Sequence, residues 1–358
     1  MTLDVAIIGG GPAGAAAAIS LRQLIPNGAI AIFDAGGSEQ DAWRPGETLA
    51  PGAASILQSL GCWPAFRSAG FLESCGTRSV WGSPEPYENE FLFSMRGSGW
   101  RLDRARFNHL LRTCAGTAGA EIHYEAPLRG SEYADGLWHL QLSTSDCRAR
   151  FVIDATGRSA TFAVQAGAQR LADDKLAGVF VLFESAETGD TLIEAVEAGW
   201  WYSTTVPGNT AVVAFMTDTD LIREQQLNTP ARWNELLAAS TPTRERLQNA
   251  TAKTAPAIFA ANSQRLSQMA GPGWVAAGDA AMTFDPLSSQ GILKALRSGK
   301  LASFVAADYL LHGKASSAKY EAMARGEYAA YSATKAEYYS LEQRWPASPF
   351  WARRRSKS

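Results

Sequence analysis

Three glycines near the N-terminus have the spacing to hold a phosphate: Gly9, Gly11 and Gly14, in Gly9-Gly10-Gly11-Pro12-Ala13-Gly14. Gly9 permits a tight turn, Gly11 lets the backbone approach a pyrophosphate, and Gly14 lets a helix pack on the preceding strand. Pro12 and Ala13 open that helix, whose free N–H groups and positive dipole end suit phosphate charge. Asp34 comes 20 positions after Gly14. There a carboxylate can accept hydrogen bonds from an adenosine ribose and repel a 2′-phosphate. The chemistry is dinucleotide binding, and this fingerprint alone does not separate a nicotinamide from a flavin. A second stretch, GDAAMTFDPLSSQGI, runs from Gly278 to Ile292 near the other end of the chain. It is too irregular for a strand and too rich in Gly and Pro for a helix interior.

The elements that must position these residues are legible. Leu3–Ile8 reads as a short buried parallel strand. An Ala-rich helix follows to about Leu24, and a second strand spans Ala29–Phe33. The Gly278–Ile292 stretch follows a strand-like Trp274–Ala277 and precedes a helix from Ile292 to about Leu311. Between them, Leu176–Glu184, Leu192–Glu197, Trp200–Val206 and Thr210–Thr217 read as strands, with a hairpin turn at Pro207-Gly208-Asn209. Strand alternation puts Trp200 and Tyr202 on one face and Trp201 on the other.

Composition is that of a globular protein: 358 residues, 46% hydrophobic, 19% charged, net charge −2. Nothing in it suggests nucleic acid, and Arg353-Arg354-Arg355 reads as a solvated tail. The cysteines at 62, 75, 114 and 147 have no CxxC spacing and no histidine nearby, so no metal site is expected. Cys62 and Cys75 are a candidate redox pair, although Leu60–Trp63 also reads as a packed helix end. The N-terminus lacks a basic leader region, and no apolar run approaches the ~20 residues of a membrane span. A cytoplasmic location and no membrane contact are expected.

Two further segments, Trp100–Phe107 with its charged helix start and Phe151–Ser159 with its Ala-Thr-Gly turn, complete a pattern. The four segments together resemble the flavoprotein monooxygenases and halogenases of glutathione-reductase-type FAD fold, over nearly the whole chain. The resemblance implies an α/β architecture: an FAD-binding Rossmann-like domain, an inserted antiparallel β-sheet substrate domain and C-terminal helices. The FAD-binding domain would take residues 1–80, 100–175 and 262–312, the sheet domain 81–99 and 176–261, and the C-terminal helical segment 313–358. FAD would be held by the N-terminal glycines, Asp34, Gly157, Gly278 and Asp279. Arg44 of Arg44-Pro45-Gly46-Glu47-Thr48 would line the flavin, and Arg104 would contact FAD or form an exposed salt bridge. Pro286, Gly291 and Ile292 would pass beside the ring, where a helix N-terminus stabilises the charge of a reduced flavin. Asp285, Ser289 and Gln290 are the catalytic candidates.

The resemblance also implies chemistry: a reduced flavin with oxygen forms a C4a-hydroperoxide that hydroxylates an electron-rich arene. Halogenases use a lysine in the N-terminal half; here the first lysine is Lys175 and the nearest substitute, Arg78, forms no haloamine. Ser288 stands where tryptophan halogenases carry a glutamate. Gly199–Pro207 resembles the WxWxIP segment of halogenases and the YxWxFP segment of prenyl reductases without fully matching either. It nominates Trp200 and Tyr202 as substrate-lining, with core packing the rival for each. The four histidines lie away from these motifs. Asp285 is the one carboxylate expected near the flavin, either taking a proton or capping the next turn. The Gly-Trp-Trp-Tyr-Ser segment, the overall size and the aromatic C-terminal run look closest to LodB-like flavoproteins of cysteine tryptophylquinone biogenesis. That implies a Trp side chain in the precursor of a quinoprotein amino-acid oxidase as substrate. The alternatives are a small-molecule aromatic hydroxylase or halogenase, a prenyl reductase, and a non-catalytic FAD-fold binding protein. Asp154-Ala155-Thr156-Gly157 lacks the Asp-Gly pair of single-component hydroxylases, so a separate electron donor is expected.

Overall fold

The computed structural model of the chain describes residues 2–37, 43–90, 97–184, 189–313 and 316–355. Its first sheet is built on a parallel core, in the order Trp274–Ala276, Asp146–Asp154, Thr2–Ile8, Ile30–Phe33, Glu121–His123. Ile30–Phe33, Trp274–Ala276 and the ends of Thr2–Ile8 and Asp146–Asp154 beside them are buried on both faces, as a sheet covered by helices requires, while Glu121–His123 at the edge is partly exposed. Helix Pro12–Leu24 covers one face and packs against Gly291–His312. Alanines make this contact close: a Cβ on Gly299 would sit 2.1 Å from the Ala13 carbonyl oxygen. The N-terminal turn and the late Gly278–Ile292 stretch are therefore neighbours.

The second sheet runs in the order Thr251–Ala252, Leu176–Glu184, Thr210–Asp218, Gly199–Val206, Thr191–Val196, Gly76–Val80, Tyr87–Glu90. Pairing is antiparallel except between Thr191–Val196 and Gly76–Val80. Gly76–Val80 thus joins this sheet from before residue 81. The four strands expected in the middle of the chain are present, displaced by at most one residue at their ends.

Alternation divides the second sheet's faces. Val179, Trp201, Val213 and Phe215 pack with Trp233 of helix Pro230–Ala238. Phe180, Ile193, Trp200 and Ala214 pack on the opposite face with Tyr339, Phe350 and Trp351 from the C-terminal helices Ser317–Ser340 and Pro349–Arg355. The Arg353–Arg355 tail is no loose end: Arg353 and Arg354 pair with Asp218, whose side chain is buried. Among the described residues, no helix is long and apolar enough to cross a membrane.

The cysteine pairing differs from expectation. Cys75 is exposed, whereas Cys62 is buried against Cys114 of helix Arg104–Thr117, and all four thiols are free. Leu60–Trp63 is the packed helix junction that its sequence also suggested. Contact with Cys62 lowers the Cys114 thiol to about 7.

Candidate active site

The N-terminal turn shows why each glycine is required. Gly9 has φ +107, and a Cβ there would lie 2.3 Å from the Ala155 carbonyl oxygen. A Cβ on Gly14 would lie 1.9 Å from the Gly9 carbonyl oxygen. A Cβ on Gly11 would meet nothing within 4 Å, so this position faces open space. Helix Pro12–Leu24 has no side-chain cap, which leaves its first N–H groups for a ligand. Asp34 partly closes the turn itself: Oδ2 accepts from Gly10 N at 2.7 Å and Oδ1 from Gly36 N at 2.8 Å. Each carboxylate oxygen keeps a second lone pair for a ribose hydroxyl.

The neighbouring Ala-Thr-Gly turn is ordered by a buried carboxylate. Asp154 Oδ1 accepts from Thr156 N and Oγ1, and Oδ2 accepts from Ala163 N. Burial raises its pKa against these bonds. Gly157 follows with φ +70.

Gly278–Ile292 is two short 3₁₀ turns joined by the two-residue strand Met282–Thr283. Gly278, with φ +64, lies against Ala13, where an added Cβ would approach Ala13 Cβ to 2.8 Å. Asp279 does not stand alone: Oδ1 accepts from Lys294 Nζ at 2.7 Å, and Lys294 is almost completely buried. Enclosure pushes the Asp279 carboxyl upward, but Lys294, then Arg158 and Arg104, hold it below its ordinary range. It is ionised at neutral pH. Ser289 sits in the left-handed region at φ 51, uncommon for a residue with a Cβ and a mark of imposed geometry. Gln290 and Gly291 are exposed at the uncapped start of helix Gly291–His312, while Ile292 is buried in the core.

Asp285 is buried, and the fold occupies both of its oxygens. Oδ1 accepts from Leu287 N at 2.9 Å, which caps the Pro286–Ser288 turn. Oδ2 accepts from the Tyr339 hydroxyl at 2.9 Å, and that hydroxyl accepts from Trp200 Nε1 at 3.1 Å. Burial raises the Asp285 pKa. The geometry is that of a cap linking the loop to the second sheet. Tyr339→Phe strands two buried polar groups and is expected to cost about 2 kcal/mol, read as a lowered urea midpoint at unchanged m-value.

Trp200 is completely buried between Trp81 and Tyr339, so it is a core residue of this sheet. Tyr202, two positions on, reaches the first half of the molecule, with its hydroxyl 3.0 Å from Thr48 Oγ1. Arg78 pairs in register with Leu192, and Leu192 with Ser203. Strand alternation therefore puts Arg78 on the opposite face from Tyr202. It lines a separate polar groove of about 550 Å³ with Asp190 and Arg246. Arg104 is no exposed ion pair: Nη1 donates to the Pro45 and Gly46 carbonyls, both at 3.1 Å, and clamps the segment that carries exposed Arg44.

That clamp positions a residue to which sequence reading gave no role. Glu47 is 3% exposed, and Oε2 accepts from Gly46 N at 3.1 Å. Its Oε1 is enclosed with no donor in hydrogen-bonding geometry, and the Tyr202 phenol lies against the carboxyl. Burial raises its pKa to about 7, against the pull of its local backbone amides, Arg104 and Tyr202. The signal in the sequence was its place in Arg44-Pro45-Gly46-Glu47-Thr48, where the resemblance gave a flavin-lining role to Arg44 alone. Tyr202, whose phenol lies against the Glu47 carboxyl, packs in one hydrophobic cluster with Leu287 and with Trp43, Phe180 and Phe259, which meet edge-on at 5.4–5.6 Å.

The glycine cradle, two uncapped helix N-termini and Asp34 fit a dinucleotide along the carboxyl ends of the parallel strands. The FAD binding domain family matches residues 2–321. The chain belongs to that family. It is 30% identical over 368 residues to a protein of Marinomonas mediterranea described as the FAD-dependent oxidoreductase LodB, covering 99% of this chain and 97% of that one. Among solved structures it is similar to the flavin-dependent halogenase CmlS, with TM-score 0.88 and 26% identity, covering 99% of this chain and 68% of that one. It also shares the fold of QhpG, a peptidyl tryptophan dihydroxylase essential for tryptophylquinone cofactor biogenesis. There the TM-score is 0.77 at 22% identity, over 99% of this chain and 79% of that one. The chain is an FAD-dependent oxidoreductase with the halogenase and monooxygenase fold.

Proposed function

We propose that the protein is an FAD-dependent monooxygenase that hydroxylates a Trp side chain in the precursor of a quinoprotein amino-acid oxidase. The observation that carries this reading is the aromatic group of Trp43, Phe180 and Phe259, in one hydrophobic cluster with Leu287 of the Pro286–Ser288 turn. Such rings take a planar arene edge-on. The similarity to LodB along the full chain and the shared fold with a peptidyl tryptophan dihydroxylase support it.

Two lysines in the second half of the chain, Lys294 and Lys335, are both committed to carboxylates. Lys294, the lysine nearest the turn, is committed to Asp279 and the Met282 carbonyl. Lys335 is committed to Asp174 and Ser263. Bound and reduced, FAD supplies activated oxygen. The chain's own residues do the rest: Gly9–Gly14 and the first N–H groups of Pro12–Leu24 hold the pyrophosphate, and Asp34 the ribose. Asp279 faces the ribityl and pyrophosphate region, fixed by Lys294. Pro286, Gly291 and Ile292 pass the ring, with Ser289 and Gln290 at the helix start, and Tyr202 borders the substrate.

The test is the intact mass of the precursor co-expressed with the enzyme and with an Asp279→Ala control. Oxygen gained at a Trp with the intact enzyme alone is the expected result. An unchanged mass beside a yellow, oxygen-reactive protein overturns the reading, as does a halide-dependent gain.

A further inference from the structure

Glu47 is held where the two halves of the molecule meet. Its carbonyl accepts from Leu102 N at 2.7 Å, and the next two residues pair with Trp100 and Arg101. The backbone is therefore fixed. Oε2 is spent on Gly46 N, while Oε1 is buried with no donor in hydrogen-bonding geometry. A buried oxygen left in this way is destabilising and calls for an explanation. The ionisable groups around Glu47 are the Arg104 guanidinium on one side and the Tyr202 phenol on the other, with Arg246 behind Tyr202.

The other candidate acceptors named above are engaged or lie away from this junction. Both oxygens of Asp285 are bonded, and Asp279 is held ionised by Lys294. His109 and His312 are exposed on helices, and His123 stacks on Phe33 at the far edge of the first sheet.

We propose that Glu47 accepts the ring proton during arene hydroxylation, with the free Oε1 as the acceptor atom. This rests on the tryptophan-hydroxylase reading above. The oxidant is dioxygen, with two electrons from a nicotinamide or a partner reductase. One oxygen joins a ring carbon as hydroxyl, using a ring electron pair. The other leaves as water with protons from solvent. The C–H bond at that carbon breaks, its pair restores the aromatic ring, and the proton passes to Oε1. A carboxyl pushed up by burial to about 7 both accepts that proton and returns it to solvent near neutral pH.

The test uses the full-length enzyme, a precursor with ring-deuterated tryptophan, and Glu47→Gln. With wild type, ring deuteration leaves turnover unchanged, because loss of the proton is fast. In Glu47→Gln, kcat falls about 100-fold and a primary isotope effect appears, since loss of the proton becomes limiting. Glu47→Asp recovers part of the rate. A second readout needs no turnover. In paired-buffer calorimetry near pH 7, FAD binding to wild type exchanges protons and binding to Glu47→Gln does not. Wild-type turnover in Glu47→Gln without an isotope effect overturns the assignment. A wild-type enzyme that leaves the precursor unmodified overturns the underlying reading, and the assignment with it.

Discussion

Gly11→Val is expected to give a folded, colourless protein. The backbone at Gly11 is extended, with φ −72 and ψ −174, a conformation open to any residue. Its Cβ position meets no atom within 4 Å, so the new side chain clashes with nothing in the fold. It projects instead into the space where the pyrophosphate must touch the backbone. FAD affinity should fall at least ~100-fold, about 3 kcal/mol, while the unfolding midpoint of the FAD-free protein stays within error. Gly14→Val separates the two effects. Its Cβ would stand 1.9 Å from the Gly9 carbonyl oxygen, so it should lose both FAD and stability. Visible flavin absorbance after reconstitution and a urea melt of the FAD-free protein read the two quantities. If Gly11→Val binds FAD like wild type, the cradle does not hold the pyrophosphate.

The cradle was legible because its determinants are local. Strand, turn and helix are consecutive, and each glycine answers a contact within that unit or with the adjoining strand turn at Ala155. The late stretch was legible as irregular for the same reason, since Pro286 and the Asp285 cap act over a few residues. What failed to show was decided across the chain. Trp200 and Tyr202 share a face, as alternation requires. Yet Trp200 is sealed by Tyr339, 139 residues away, and Tyr202 meets Thr48, 154 residues away. The sequence does not say where the C-terminal helices stop covering that face. Cys62 lies by Cys114 because helix Arg104–Thr117 packs on Trp63–Ser68. Asp279 was expected to bind cofactor, and its pairing with Lys294 depends on one turn of a helix reaching back 15 positions. Glu47 was unreadable because an acid beside a glycine usually lies on the surface. Only the packing of both halves buries it.

Glu47→Gln should also change how the FAD-free protein's stability depends on pH. The Glu47 carboxyl rises from an ordinary 4.5 to about 7 on folding, and burial is the largest cause. A folded pKa above the unfolded one means that the native state binds the proton more tightly. The associated stability is complete below about pH 4.5 and is lost as pH rises towards 7. Above pH 7 wild type carries a buried charge that costs about 3 kcal/mol relative to the protonated form. Glutamine is neutral at every pH and nearly isosteric. The two proteins should therefore match at pH 4, where Glu47 is protonated in both the folded and most of the unfolded chain. At pH 8 Glu47→Gln should be the more stable by up to about 3 kcal/mol. Asp154 and Asp285 are also raised by burial, but they are common to both proteins and cancel in the difference. Urea midpoints at half-unit steps from pH 4 to pH 8.5 measure the divergence. Parallel curves would mean that Arg104 and Tyr202 fully compensate the charge. Glu47 would then stay ionised through neutral pH, with an acidity too strong to hold a ring proton.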